Sequence, residues 1–100
     1  MKEIIIAFDV DGTLLNNEGM TVLLLQILSK KMKNTKIYVW SGGGKEYAEK
    51  ICREYGLEKY VDRCFGKQEY DEELYGKVDI CFDNVHSCDL AEKNLIVKMK

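Results

Sequence analysis

Two aspartates separated by one residue, Asp9 and Asp11, follow directly on the apolar run Ile4-Ile5-Ile6-Ala7-Phe8. Carboxylates brought to one spot repel each other unless a cation lies between them or one keeps a proton. A hard, oxygen-preferring divalent ion such as Mg2+ meets that demand. Gly12 permits a sharp turn just past the acids, and Thr13 adds a hydroxyl and a backbone N–H. The run before them is short, uninterrupted and β-branched, as in a strand buried on both faces. Ligands of open α/β sheets bind at the carboxyl ends of such strands, and the two acids stand at such an end. An EF-hand register ending at Glu18 is a poor rival, because it puts Ala7 where the first ligand belongs. A purely structural acidic turn is the plain alternative.

The same arrangement, an apolar run that ends in a polar group, recurs three times. Ile37-Tyr38-Val39-Trp40 leads to Ser41-Gly42-Gly43-Gly44. Ser41 offers a hydroxyl donor, and the glycines let backbone N–H groups approach an anion beside a helix amino terminus. Nucleotide-binding glycine loops are excluded: Val39 and Glu46 break the P-loop spacing, and Tyr47 stands where a dinucleotide fingerprint needs glycine. Phe65-Gly66 leads to Lys67, whose compact ammonium suits several anions at once. Lys77 is a weaker candidate because it precedes a strand and would face the other sheet edge. Phe82 leads to Asp83 and Asn84. Asp79 lies roughly 13 Å back along the same strand, too far to share a site with Asp83.

Asp9-Val10-Asp11-Gly12-Thr13-Leu14 resembles the signature of the haloacid dehalogenase-like hydrolase superfamily, and the three later segments resemble that family's second, third and fourth motifs. The resemblance implies that Asp9 is a nucleophile and Asp11 a general acid/base. It further implies that Ser41, Gly42 and Lys67 bind a phosphoryl group, and that Asp9, Asp11 (through its carbonyl) and Asp83 hold Mg2+. Asn84 departs from the pattern, since many members carry a second acid there. The activity implied is hydrolysis of a phosphate monoester through an aspartyl-phosphate intermediate. A second acid at position 11 points to phosphate esters rather than to dehalogenation. A phosphotransferase, or a non-catalytic phosphate- and metal-binding module of the same fold, are the alternatives. Segments 16–19 and 66–77 are too short for the cap domain that many members insert. An open site admits a bulky phosphorylated substrate, such as a nucleic-acid terminus or a phosphoprotein. Trp40 and Tyr47 fit core packing, with stacking on a base as the other possibility.

Strands and helices alternate along the chain. The patterns predict strands at 4–8, 36–40, 60–65, 78–82 and 95–97, and helices near 20–32, 45–55, 70–75 and 87–93. Asn34 and Gly56 are the expected helix stops. The first helix is apolar over most of its circumference. Parallel strands need crossover connections, so the expected fold is α/β. It would be a three-layer Rossmann-like domain with a central parallel sheet of about five strands, one domain over residues 1–100 and no cap.

A net charge of −2 gives no global attraction for nucleic acid or an anionic membrane. The cluster Lys30, Lys31, Lys33 and Lys36 suits a solvated helix end. No apolar run is long enough for a membrane span or a signal peptide, which points to a cytoplasmic protein. The four cysteines lack paired spacing and read as reduced thiols. A soft-metal site from Cys81, His86 and Cys88 would want a fourth ligand.

Overall fold

A computed structural model describes residues 3–15, 18–31, 33–83 and 93–96. At its centre is β1 (Ile4–Asp9), five of whose six residues are buried. It pairs in parallel with β2 (Thr35–Ser41) on one side, from Ile4↔Thr35 to Asp9↔Trp40. On the other side it pairs with β4 (Ile80–Asp83), from Ile6↔Ile80 to Phe8↔Phe82. β3 (Arg63–Gly66) runs parallel along the outer side of β2. The backbone of β5 (Lys93–Ile96) runs parallel beside β4. The order is therefore β3-β2-β1-β4-β5, and the fold is α/β with a parallel sheet flanked by helices.

Side chains alternate across a strand, and here the alternation separates two cores. Ile6, Phe8, Ile37 and Val39 face α1 (Glu18–Lys31) and α2 (Lys45–Glu54), which contribute Leu25, Ala48, Ile51 and Cys52. Phe8 also stacks on Phe82, with ring centroids 4.8 Å apart. Ile5, Ala7, Tyr38, Trp40 and Cys81 face the other way. Among the described residues, α3 (Glu72–Tyr75) and the segment before it cover that side, with Tyr70 and Tyr75 packed on the cluster. Tyr70 meets Trp40 and Phe65 edge-on at 5.4 and 4.9 Å, and Tyr75 lies 4.8 Å from Phe65. Aromatic pairs at these separations contribute about 0.5–1.5 kcal/mol beyond burial.

Several boundaries differ from the sequence pattern. β3 starts at Arg63 rather than Tyr60, because Leu57–Tyr60 is a turn closed by the Tyr60 N–H on the Leu57 carbonyl. β4 starts at Ile80 and runs through Asp83. α1 is apolar on a narrower face than expected: Thr21 and Leu25 are buried, whereas Leu23 and Ile27 are about half exposed. It lies in an outer layer, so only its inner stripe meets the sheet. Asn34 takes the left-handed conformation expected of a stop, with φ 57°. The helix expected near 87–93 lies outside the described residues, apart from Lys93, which begins β5. Among the described residues no helix is long and apolar enough to cross a membrane.

One device at the amino edge of the sheet is used twice. Asp62, just before β3, accepts the Ile37 N–H on Oδ2 at 2.8 Å and donates its own N–H to the Ile37 carbonyl at 2.8 Å. Asp79, just before β4, does the same to Ile5 at 2.8 and 2.8 Å. Each carboxylate stands in for a backbone acceptor and fixes the register of one strand against its neighbour, β3 against β2 and β4 against β1. Asp79 is therefore a structural acid at the edge away from Asp83. Removing a partly buried acceptor exposes the desolvation cost of its donor. Asp62→Ala and Asp79→Ala are each expected to lose about 1–2 kcal/mol in urea unfolding, with Asp79→Asn losing less because its amide oxygen still accepts. An unchanged midpoint in both alanine variants would rule this device out.

Candidate active site

The carboxyl ends of β1, β2, β3 and β4 deliver Asp9, Ser41, Gly66 with Lys67 after it, and Asp83. Parallel register does the gathering: Asp9 is level with Trp40, and Ser41 is level with Gly66. At the centre is the Lys67 ammonium. Nζ lies 2.8 Å from Oδ1 of Asp9 and 2.7 Å from Oδ2 of Asp83. The lysine side chain is 18% exposed, that of Asp9 7% and that of Asp83 0%. Two buried carboxylates from two strand ends thus share one cation supplied just past a third.

Burial alone would push the Lys67 ammonium below the ordinary lysine range. The hydrogen bonds and charges of Asp83 and Asp9 outweigh it and hold the lysine well above that range. Burial raises the Asp9 carboxyl above its ordinary value near 3.8, and the Asp83 charge adds to the rise. The Lys67 bond and charge offset this only in part. Lys67 and the Val10 backbone thus favour the Asp9 carboxylate in surroundings that disfavour its charge.

Beyond Asp9 the chain makes one wide turn, Val10–Leu14, closed by the Leu15 N–H on the Val10 carbonyl at 2.8 Å. Gly12 sits at φ 82°, a conformation that side chains other than glycine rarely adopt. The turn swings Asp11 outward to the surface. There its Oδ1 accepts the Tyr47 hydroxyl at 2.8 Å. The bond to Asp11, and to a lesser degree burial, raises the Tyr47 phenol above its ordinary range. Tyr47 reaches Asp11 by lying across the glycine loop: a Cβ on Gly43 would come within 3.2 Å of its ring. Ser41 is buried, and its Oγ accepts the Gly43 N–H at 2.9 Å, which folds the loop back on the end of β2. Gly42 is exposed at the same edge.

Asp9, Lys67 and Asp83 are brought into direct contact, with Ser41 and Gly42 on the adjoining loop and Asp11 on the rim. The bond from Tyr47 to Asp11 has no trace in the sequence beyond the four-residue step from Gly43 to Tyr47. Trp40 is fully buried in the aromatic core, in line with the core-packing reading, and is not placed to stack on a base. Thr13 is buried too, and its hydroxyl has no hydrogen-bond partner among the described residues; its carbonyl accepts the Thr21 hydroxyl. Asn84, His86 and Cys88 lie outside the described residues, while Cys81 is buried in the sheet. Among the described residues no group of three or more His, Cys, Asp or Glu side chains converges as a metal cluster. Cavities of about 390, 200 and 430 Å³ open elsewhere, and none is lined by Asp9, Lys67 or Asp83.

These charges make opposite predictions for stability. A carboxyl whose folded pKa is raised loses stability on ionising, as pH climbs from the ordinary value through the raised one. Asp9→Asn is therefore expected to melt above wild type at pH 7, by a margin that shrinks toward pH 4. A lower melting temperature at pH 7 would mean that the Lys67 pair outweighs burial. The raised Lys67 pKa contributes stability that is full below about 10.4 and lost as pH rises through the folded value. Lys67→Met withdraws the ammonium from a fully buried carboxylate and is expected to cost about 3 kcal/mol, the low end for a buried pair because the lysine is partly exposed. Denaturant unfolding at pH 7 measures it. Compared with family models, curated proteins and solved structures, the chain matches none of them.

Proposed function

We propose that this chain is a Mg2+-dependent phosphatase of the haloacid dehalogenase-like type, acting on a phosphate monoester from a cytoplasmic location. The observation that carries the proposal is the single ammonium of Lys67 bound to Asp9 and Asp83 at once. A structural lysine needs one partner. Two carboxylates from non-adjacent segments, both withdrawn from water and both at strand carboxyl ends, are costly to assemble for stability alone.

In this reading the Asp9 carboxylate attacks phosphorus in line and forms an acyl phosphate. Lys67 holds that carboxylate ionised and in position, and meets the developing charge on the phosphoryl oxygens. Asp11, on the exposed rim, protonates the departing alkoxide and then takes the proton of the water that hydrolyses the intermediate. The Tyr47 hydroxyl holds the Asp11 carboxylate at the rim. The Ser41–Gly44 loop leads into the amino terminus of α2, where anions are favoured. Asp9 and Asp83 are hard oxygen donors, and two carboxylates against one ammonium leave a net negative charge, so the donor chemistry suits Mg2+. Bound there with the Asp11 carbonyl, Mg2+ would supply Lewis-acid charge to the phosphoryl oxygens.

The segment after β3 folds as the turn Lys67–Glu69 and the four-residue α3, which leaves little chain for a lid on that side. Bulky phosphorylated substrates, a nucleic-acid terminus or a phosphoprotein, fit that reading. The test is release of phosphate from p-nitrophenyl phosphate with and without Mg2+. Turnover is expected to disappear with chelator and in Asp9→Asn, and to fall roughly 10²–10⁴-fold in Asp11→Asn. Transfer of phosphate to an added alcohol instead of water would identify a phosphotransferase. Binding of phosphate and Mg2+ with no turnover on esters, nucleotides, 3′-phosphorylated oligonucleotides or phosphopeptides would replace the enzyme with a binding module.

A further inference from the structure

Cys52 and Cys64 are far from any paired spacing in the sequence, yet their sulfurs are 3.7 Å apart and share a hydrogen bond. Cys52 lies on the inner face of α2 and is 2% exposed. Cys64, in β3, is partly exposed. A surface cavity of about 200 Å³ is lined by both residues, together with Glu49, Arg53, Glu58 and Arg63. Cys64 also lines the neighbouring cavity of about 430 Å³. A solute at this surface therefore meets Cys64 first, with a second thiol directly behind it. The third described cysteine, Cys81, is buried in the core on the opposite face of the sheet.

We propose that Cys52 and Cys64 form a reversible redox pair, which a low-molecular-weight disulfide converts into an intramolecular disulfide. The Cys64 thiolate attacks one sulfur of the small disulfide, so that a Cys64–S–S–R bond forms and one thiolate RS⁻ leaves. Cys52 then gives up its proton and attacks the Cys64 sulfur, expelling the second RS⁻. The two protons from the protein thiols end on the two released RSH molecules, and the two electrons reduce the reagent. Both roles follow from the surroundings. Cys64 lines both cavities and meets the reagent first, whereas Cys52, 2% exposed, lies behind it as the resolving sulfur. In keeping with this, the contact with Cys52 brings the Cys64 thiol below the ordinary range despite partial burial, and the same contact, then burial, pushes Cys52 up.

Closing the bond needs the sulfurs to approach to about 2.05 Å, a shift that side-chain rotation from 3.7 Å supplies in part. The bridge would tie α2 to β3. The first of these begins at the glycine loop and the second leads directly into Lys67, so the pair lies between two supports of the carboxylate site. Transient disulfides of this kind in a reducing compartment are characteristic of redox sensing.

The experiment exposes the full native chain to oxidised glutathione, caps remaining thiols with N-ethylmaleimide, and maps peptides without reduction. Expected is the loss of two of the four titratable thiols, a Cys52–Cys64 linked peptide, and full reversal by dithiothreitol. Cys52→Ser is expected to stop at one glutathione on Cys64, and Cys64→Ser to take up none at either position. Four free thiols in wild type, a linkage between any other two cysteines, or a Cys52→Ser protein that gains no adduct at Cys64 would each overturn the pair. The wild-type map decides even where a serine variant fails to fold.

Discussion

The interaction on which the rest depends is one ammonium held between two carboxylates that water hardly reaches. Lys67 is within 2.8 Å of both Asp9 and Asp83, yet the three residues come from segments that no local structure would join. Removing charges from water costs several kcal/mol per ion, and this arrangement is not symmetric enough to recover it all. Burial wins over pairing at Asp9, whose carboxyl is raised, while pairing wins over burial at Lys67. The sheet must therefore supply what the charges do not. It does so with β1, walled by Ile6 and Phe8 on one face and by Ile5 and Ala7 on the other.

The two edges of that sheet use the same residue type for opposite ends. At the amino edge Asp62 and Asp79 accept backbone N–H groups of Ile37 and Ile5, so their charge is spent on register. At the carboxyl edge Asp9 and Asp83 bind a side-chain cation instead. Parallel strands make this division possible, because every strand begins on one edge and ends on the other. The register that Asp62 and Asp79 fix at one edge sets the level at which Ser41, Lys67 and Asp83 arrive at the other. Structural and chemical acids are separated by the length of a strand.

This division explains what could be read from the chain before its fold was known. The apolar run at 4–8, the acids after it, and the polar residues ending the later strands are local signals, and all four strand ends emerged on one edge. Asp79 could be set aside by strand length alone. What the sequence could not display were contacts set by three-dimensional shape. Nothing local says that Tyr47, on the first turn of α2, bends over Gly43 to reach Asp11. Nothing local says that Thr13 turns inward, or that Cys52 and Cys64 meet. The start of β3 was misplaced because Tyr60 and Val61 are as apolar as a strand requires; the turn from Leu57 to Tyr60 overrides their propensity.

Electrostatic balance also limits what the site can receive. Two carboxylates face one ammonium at the strand ends, and a phosphate monoester brings up to two more negative charges. Backbone N–H groups at the start of α2 carry only a fraction of a positive charge. Lys67 is already engaged by Asp9 and Asp83, so it cannot neutralise an arriving dianion unaided. A second positive charge is needed wherever a phosphate is to sit beside Asp9. Within the proposed reading that charge is a hard divalent ion, since the side chains that face it are carboxylates and offer oxygen alone. Within the proposed reading, the need for a divalent ion and the binding of a phosphorylated ligand are linked through that one deficit, which is set by the residues at the ends of β1 and β4 and the lysine after β3.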